Sequence, residues 1–230
     1  MATVKFEIYR KFYIRIPLLP ASTKKCLGHF FEALFLDLAP DCKYMSELVC
    51  KLNRAVGMLR LASKFINQST RVTLYNTLVL PHLDYCSTVW GGCISGADFK
   101  KLQRIQNCAM RVILECHHRT HVVDMLNSLH WLSVEQRFKY NVLCLMWKIH
   151  NNMMPDYMNF FQNNDKVHGH VTRQASRGDI HRTNCHNKSF SRIGAQHWNQ
   201  LSVGTRSISN YNSFKKAMIK DLKTDRRLAT

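Results

Sequence analysis

Ser95-Gly96-Ala97-Asp98-Phe99-Lys100-Lys101-Leu102-Gln103-Arg104-Ile105-Gln106-Asn107-Cys108-Ala109-Met110-Arg111-Val112-Ile113 is the stretch that decides the fold. Phe99, Leu102, Ile105, Ala109, Val112 and Ile113 recur at the spacing of one helix face, while Lys100, Lys101, Arg104 and Arg111 fall mainly around the other side. Ser95 is placed to cap the helix, and Asp98 sits in its first turn, where the helix dipole favours negative charge. The spacing predicts a long amphipathic helix over 96–115, basic on the face turned away from its apolar stripe.

The same texture extends in both directions. Leu48, Leu52, Val56, Leu59 and Phe65 form one stripe of a helix expected over 44–66. Ser69 or Thr70 can cap a second helix over 70–80, and Pro81 bends or restarts the chain before Leu83, Tyr85 and Trp90. Gly91-Gly92 then breaks it. Thr120 can cap a short helix over 121–129. Ser133 and Gln136 form a capping box for a helix over 133–150 with Val134, Phe138, Val142, Leu145 and Ile149 on its apolar face. Asn151-Asn152 and Pro155 close it. No alternating pattern is long enough to build a large sheet. The expected fold is therefore all-α: an irregular helical bundle over 41–155, followed by a basic, partly flexible C-terminal tail over 156–230. Within that tail, 163–188 reads as a polar loop, and short helices are expected around 194–201 and 213–222. Residues 1–40 lack a clean period apart from Phe30 to Leu38, an amphipathic stretch whose simplest fate is burial against the first long helix.

Charge narrows the function. The 230-residue chain carries 33 basic and 15 acidic residues, a formal net charge of +18. From Lys166 onward thirteen basic residues stand against three acids. An excess of this size favours a polyanionic partner, nucleic acid first, with an anionic membrane or an acidic protein behind it. The nine cysteines are odd in number and scattered, as in a reduced intracellular protein using Cys as a small apolar residue. No secretory signal or membrane-length apolar run is apparent, so a soluble intracellular protein is expected, in nucleus or cytoplasm.

The order of segments adds a resemblance. Lys51-Leu-Asn-Arg-Ala-Val-Gly-Met-Leu-Arg60 and Leu74-Tyr-Asn-Thr-Leu-Val-Leu-Pro-His-Leu-Asp-Tyr-Cys-Ser-Thr-Val-Trp90 resemble the region after the palm in reverse transcriptases of LINE-type (non-LTR, jockey-like) retrotransposons. So do Leu102 to Arg111, Asp124 to Leu132 with Glu135-Gln-Arg137, Ser189-Phe190, Gly194 to Leu201 and Phe214-Lys-Lys216. The resemblance runs from about residue 40 to 223, and residues 1–40 do not share it. It implies the thumb and tail of such an enzyme, which grips RNA or a template–primer duplex by shape and backbone charge. The polymerase of that family holds two metal ions on a cluster of aspartates that includes a Tyr/Phe-x-Asp-Asp turn. This chain has no Asp-Asp pair, and Asp84 belongs to the post-palm string. The expectation is a non-catalytic fragment without cofactor or small-molecule substrate. Its RNA contacts would be Lys100, Lys101, Arg104, Arg111, Arg192, Lys215, Lys216 and Lys220. The alternatives are a protein-interaction module and a decayed remnant that has lost RNA contact.

Other constellations point less sharply. Cys108, Cys116, His117, His118 and His121, and separately His168, His170, His181, Cys185 and His186, are rich in metal ligands but lack zinc-finger or knuckle spacing, so no metal is expected. Cys108 reads as lying on or near the apolar helix face. Trp131 and Trp147 adjoin apolar helical positions and read as core. Trp198 lies in the basic tail, where base stacking and core packing are both open.

Overall fold

A computed structural model describes residues 42–155, 161, 177–181 and 189–224. The segment 1–40, the Phe30–Leu38 stretch, most of the 163–188 loop and the ligand-rich residues His168, His170, Cys185 and His186 lie outside them. The described residues are helical, without a strand.

The first half is built on two long antagonistic faces. Helix α1 (Cys42–Ser63) buries Leu48, Leu52, Val56 and Leu59. These pack on α2 (Gln68–Leu78), on the short α3 (Leu80–Asp84) and α4 (Ser87–Trp90), and above all on α5 (Gly96–Leu114). Helix α5 buries Leu102, Ile105, Ala109 and Ile113 as its spacing predicts, with Gln106 and Met110 beside them. Ser95 accepts from the Asp98 backbone N–H at 3.2 Å, and Asp98 returns the bond to Ser95, completing a reciprocal cap. Asn67 caps α2, its Oδ1 accepting from the Thr70 N–H at 2.9 Å, in place of the expected Ser69 or Thr70. Pro81 sits in the first turn of α3, where its missing N–H costs nothing, so the chain restarts there as read.

Two positions depart from the amphipathic reading. Phe65, expected on the buried stripe, is 87% exposed, because α1 ends at Ser63 and the residue leaves the helical path. Cys108 is exposed; at about 100° per residue it falls between Arg104 and Lys101 on the polar side of α5.

Helix α6 (Val122–Leu129) starts after His121 without a side-chain cap, so Thr120 does not fill that role. It adds Met125 and Leu126 against Met110. Helix α7 (Val134–His150) opens on the predicted Ser133–Gln136 capping box. It is buried on more than the single stripe expected: Leu143, Cys144, Met146 and Trp147 join Val134, Phe138, Val142 and Ile149. The cause is that α7 has partners on two sides. Helices α4 and α5 contact one side of it, while α8 (Phe190–Asn199) and α10 (Tyr211–Thr224) contact another, with the short α9 (Val203–Arg206) between them in sequence.

This second packing layer crosses the boundary expected at residue 155. Phe138, Val142, Leu143, Met146 and Trp147 share one cluster with Ala195, Trp198, Phe214 and Met218. Trp198 is fully buried, which resolves its two readings in favour of core packing. Asn199 clasps Ile180, accepting from its N–H at 2.9 Å and donating to its carbonyl at 2.8 Å. Arg206 pairs with Asp179 at 2.9 Å. The described C-terminal helices thus share a core with the bundle.

Gly91 shows what its breaker role hides. Its φ is ordinary for a helix, but an added Cβ would stand 2.3 Å from the Phe138 ring and 2.7 Å from the Ser87 carbonyl. The position is glycine because α4 and α7 approach closely there.

Candidate nucleic-acid interface

The predicted basic face of α5 forms. Taking about 100° per residue from Lys100, Arg111, Arg104 and Lys101 all fall within roughly 100° of arc, opposite the buried residues. Lys100, Lys101 and Arg104 are exposed, and Arg111 is half-buried. Lys101 is partly committed locally: its Nζ lies 3.1 Å from Asp98, an exposed i,i+3 pair. The bonds from Ser95, then that from Lys101, hold the Asp98 carboxyl below its ordinary value. Lys100, Arg104 and Arg111 pair with no carboxylate among the described residues, and the buried Nε of Arg111 has no hydrogen-bond partner there.

A second basic face lies on α10. Phe214, Met218 and Leu222 turn inward against α7, and Lys216, Lys220 and Lys223 occupy the opposite arc, all exposed. Lys215 lies at the edge, its ammonium 4.7 Å from the centroid of the Tyr211 ring. Arg192 is half-buried on α8, with its backbone N–H on Ser189 Oγ. The structure therefore groups the sequence-selected cations as α5 residues and α10 residues, with Arg192 apart; both helices rest on α7.

Arg71 and Arg137 are structural, and no local pattern marks them as such. The Arg71 guanidinium reaches the carbonyls of Ser63 and Ile66 at 3.1 Å, that of Ile113 at 3.4 Å, and Glu115 at 2.7 Å. It thereby satisfies carbonyls at the C-terminal ends of α1 and α5, where positive charge is favoured. Arg137 grips both oxygens of Asp84 at 2.6 Å, and Asn141 donates to Asp84 at 3.2 Å and to Ser87 at 2.9 Å. Burial opposes the charge on Arg137, but the Asp84 hydrogen bonds and charge outweigh it and raise its pKa further. Gln136 donates to the Leu222 carbonyl at 2.7 Å, tying the start of α7 to the end of α10. Gln106 donates to the Leu132 carbonyl at 3.0 Å and reaches the Tyr75 hydroxyl at 3.5 Å.

Asp84 is thus a structural acid whose two oxygens are engaged. Among the described residues no three His, Cys, Asp or Glu side chains gather as a metal site would require, and no helix is long and apolar enough to cross a membrane. Of the histidines considered as ligands, the His117 and His118 rings lie 4.0 Å apart and tilted by 43°, with no third metal-binding side chain gathered beside them among the described residues.

Comparison of the chain with protein-family models, with curated proteins and with solved structures returns no match.

Proposed function

We propose that this chain is a catalytically inactive nucleic-acid-binding domain, the thumb and tail of a LINE-type reverse transcriptase, that holds RNA or a template–primer duplex through backbone charge. The observation that carries the reading is the α5 face, where Lys100, Arg104 and Arg111 lie in one row with no carboxylate paired to them among the described residues, on a chain of net charge +18. Two of the stretches that carry the family resemblance also meet in space. Asp84, from the Leu-Pro-His-Leu-Asp-Tyr-Cys string, is gripped by Arg137, from the Glu-Gln-Arg string. That junction gives those residue types a shared structural reason and supports the resemblance.

The test is an anisotropy titration of the whole chain with a structured RNA at several salt concentrations. Each phosphate contact contributes roughly one unit to the slope of log affinity against log salt. Changing Lys100, Lys101 and Arg104 together to Ala should lower that slope by about two units, fewer than three because Lys101 is shared with Asp98. All RNA sequences should weaken alike. The contribution of α10 is read with Lys216, Lys220 and Lys223 changed to Gln, since removing the helix would also remove Phe214 and Met218 from the core. Unchanged affinity and slope in both variants would refute the reading.

One observation favours a second reading, the protein-interaction module. Met58 and Leu61 are 52% and 72% exposed on the outer side of α1, and Phe65, just past its end, is 87% exposed. Negligible RNA binding at physiological salt, with self-association or partner capture lost on changing these three to polar residues, is what that reading expects.

A further inference from the structure

We propose that Tyr140, Lys148, Tyr211 and Lys215, at the seam between α7 and α10, form a seat for a phosphodiester group of the bound nucleic-acid backbone, separate from the α5 face. The inference rests on the nucleic-acid reading above and adds a location that the basic stripes alone do not give.

The seam follows from spacing. Tyr140, Cys144 and Lys148 recur every four residues along α7, and Tyr211 and Lys215 do so along α10, so each set forms a short row on its helix. The rows face each other. The Lys148 ammonium stands 5.2 Å from the centroid of the Tyr211 ring, and that of Lys215 stands 4.7 Å from the same centroid. Tyr211 also packs on Trp147, centroid to centroid at 5.0 Å, which anchors the ring from the core side. Cys144 lies in the same row of α7, one turn from Tyr140 and one turn from Lys148.

Two like charges brought from different helices to one ring repel each other. Neither lysine pairs with a carboxylate among the described residues. The ring offsets part of that repulsion, and an anion bound beside the two ammonium groups would offset more. The neutral groups present suit the same ligand. Burial, and then the neighbouring thiol, push the Tyr211 hydroxyl up to about 12 and also raise Tyr140, so both phenols keep their protons and can donate to phosphate oxygens. Tyr211 is the first residue of α10, so the positive end of that helix dipole lies at the seat. Lys215 is followed by the exposed Lys216 and Lys220, which continue the basic surface along α10 for a backbone that passes over the seat.

The experiment uses the full chain and a fluorescent structured RNA. The variant is Lys148→Gln with Lys215→Gln, and the control of equal charge change is Lys51→Gln with Lys64→Gln, both exposed on or just beyond α1. The seam variant should weaken RNA binding about tenfold and lower the salt slope by about two units, against less than twofold for the control. Tyr211→Phe, which keeps the ring, should give a smaller loss, and ultraviolet cross-links should map to the peptides of Tyr211 or Cys144. Matched far-ultraviolet circular dichroism confirms that the variants are folded. If the wild-type chain binds RNA and the seam variant behaves as the control does, the seat is refuted and the nucleic-acid reading stands. If the wild-type chain binds no RNA, both fall. Inorganic pyrophosphate titrated at constant ionic strength separates the sources. A saturable response lost in the seam variant, without RNA binding, assigns the site to a free phosphate compound and overturns the backbone assignment.

Discussion

Replacing Phe214 by Ala tests whether the C-terminal helices belong to the folding unit. Phe214 is fully buried, with its ring centroid 5.9 Å from that of Trp147 and 6.1 Å from that of Trp198. A buried Phe removes roughly 150–250 Å² from water, and at about 25 cal/mol per Å² its side chain contributes on the order of 4–6 kcal/mol. The compact unfolded chain lowers that figure, and the cavity left behind raises it again, so the expected loss is about 3–5 kcal/mol. The whole stability of an ordinary domain is on the order of 5–15 kcal/mol. One ring in the last helix should therefore remove a large fraction of the stability of the entire chain. Urea unfolding followed by tryptophan fluorescence and by far-ultraviolet circular dichroism measures this. The two probes should coincide in wild type and variant, and the midpoint should fall by about 2 M at a slope of roughly 2 kcal/mol per M. A loss below about 1 kcal/mol, or fluorescence and dichroism transitions that separate, would refute the shared core and restore the tail as an appendage.

Asp84→Asn should destabilise by about 1–3 kcal/mol, because it leaves the half-buried Arg137 without its carboxylate; adding Arg137→Met should recover part of that, and additive losses in the cycle would refute the pairing. Burial lowers the pKa of His197, and partial desolvation that of the more exposed His150, below the ordinary 6.5, assisted by Lys139 and Arg206 respectively. The unfolded chain then binds protons that the folded chain refuses, so stability should fall as pH drops from 6.5 towards those lowered values, and changing both histidines to Gln should flatten the decline in Tm between about pH 7 and pH 5. An acid-side slope that is unchanged in the double variant would reject this account. The purified chain with primed RNA template, nucleotides and Mg²⁺ should extend nothing, because Asp84 is engaged and no Asp-Asp pair exists; extension abolished by a single Asp substitution in this chain would overturn that.

What the sequence disclosed was what is local. The Ser95 cap and the Ser133–Gln136 box act over three residues, and the α5 stripe repeats within a single helix, so all three could be read directly. The missed features depend on partners far along the chain. Arg137 finds Asp84 across 53 positions, and Gln136 finds the Leu222 carbonyl across 86. Nothing near Arg137 distinguishes it from Lys139, which has no such partner among the described residues. The same holds for α7: a helix packed on two sides loses the single stripe that periodicity seeks, and its buried Leu143 and Met146 read as off-face residues. For Trp198, its basic neighbours said nothing about Phe214, whose ring meets it only once α8 and α10 both lie on α7. By local sequence Lys148 is an ordinary cation in the last turn of a helix; only the fold brings Tyr211 and Lys215 to it.

The charge itself divides the same way. Arg71, Arg137 and Arg206 point to carbonyls and carboxylates of their own chain, and these pairs close helix ends and join elements. Among the described residues the cations on α5 and α10 do neither, Lys101 in part excepted. Surface ion pairs contribute little to stability, so their absence is not a folding problem in itself. Repulsion within two one-signed faces is, because it opposes the compact state and grows as salt is removed. A chain that needed these residues only for solubility would do as well with both signs interspersed. Apolar contacts hold α5 and α10 against α7 while their free cations stay outside. Under the proposed nucleic-acid reading, that arrangement would lose stability in the isolated domain and regain it on binding a polyanion. Low salt should therefore lower the Tm of the free chain, and RNA should raise it most at that same low salt.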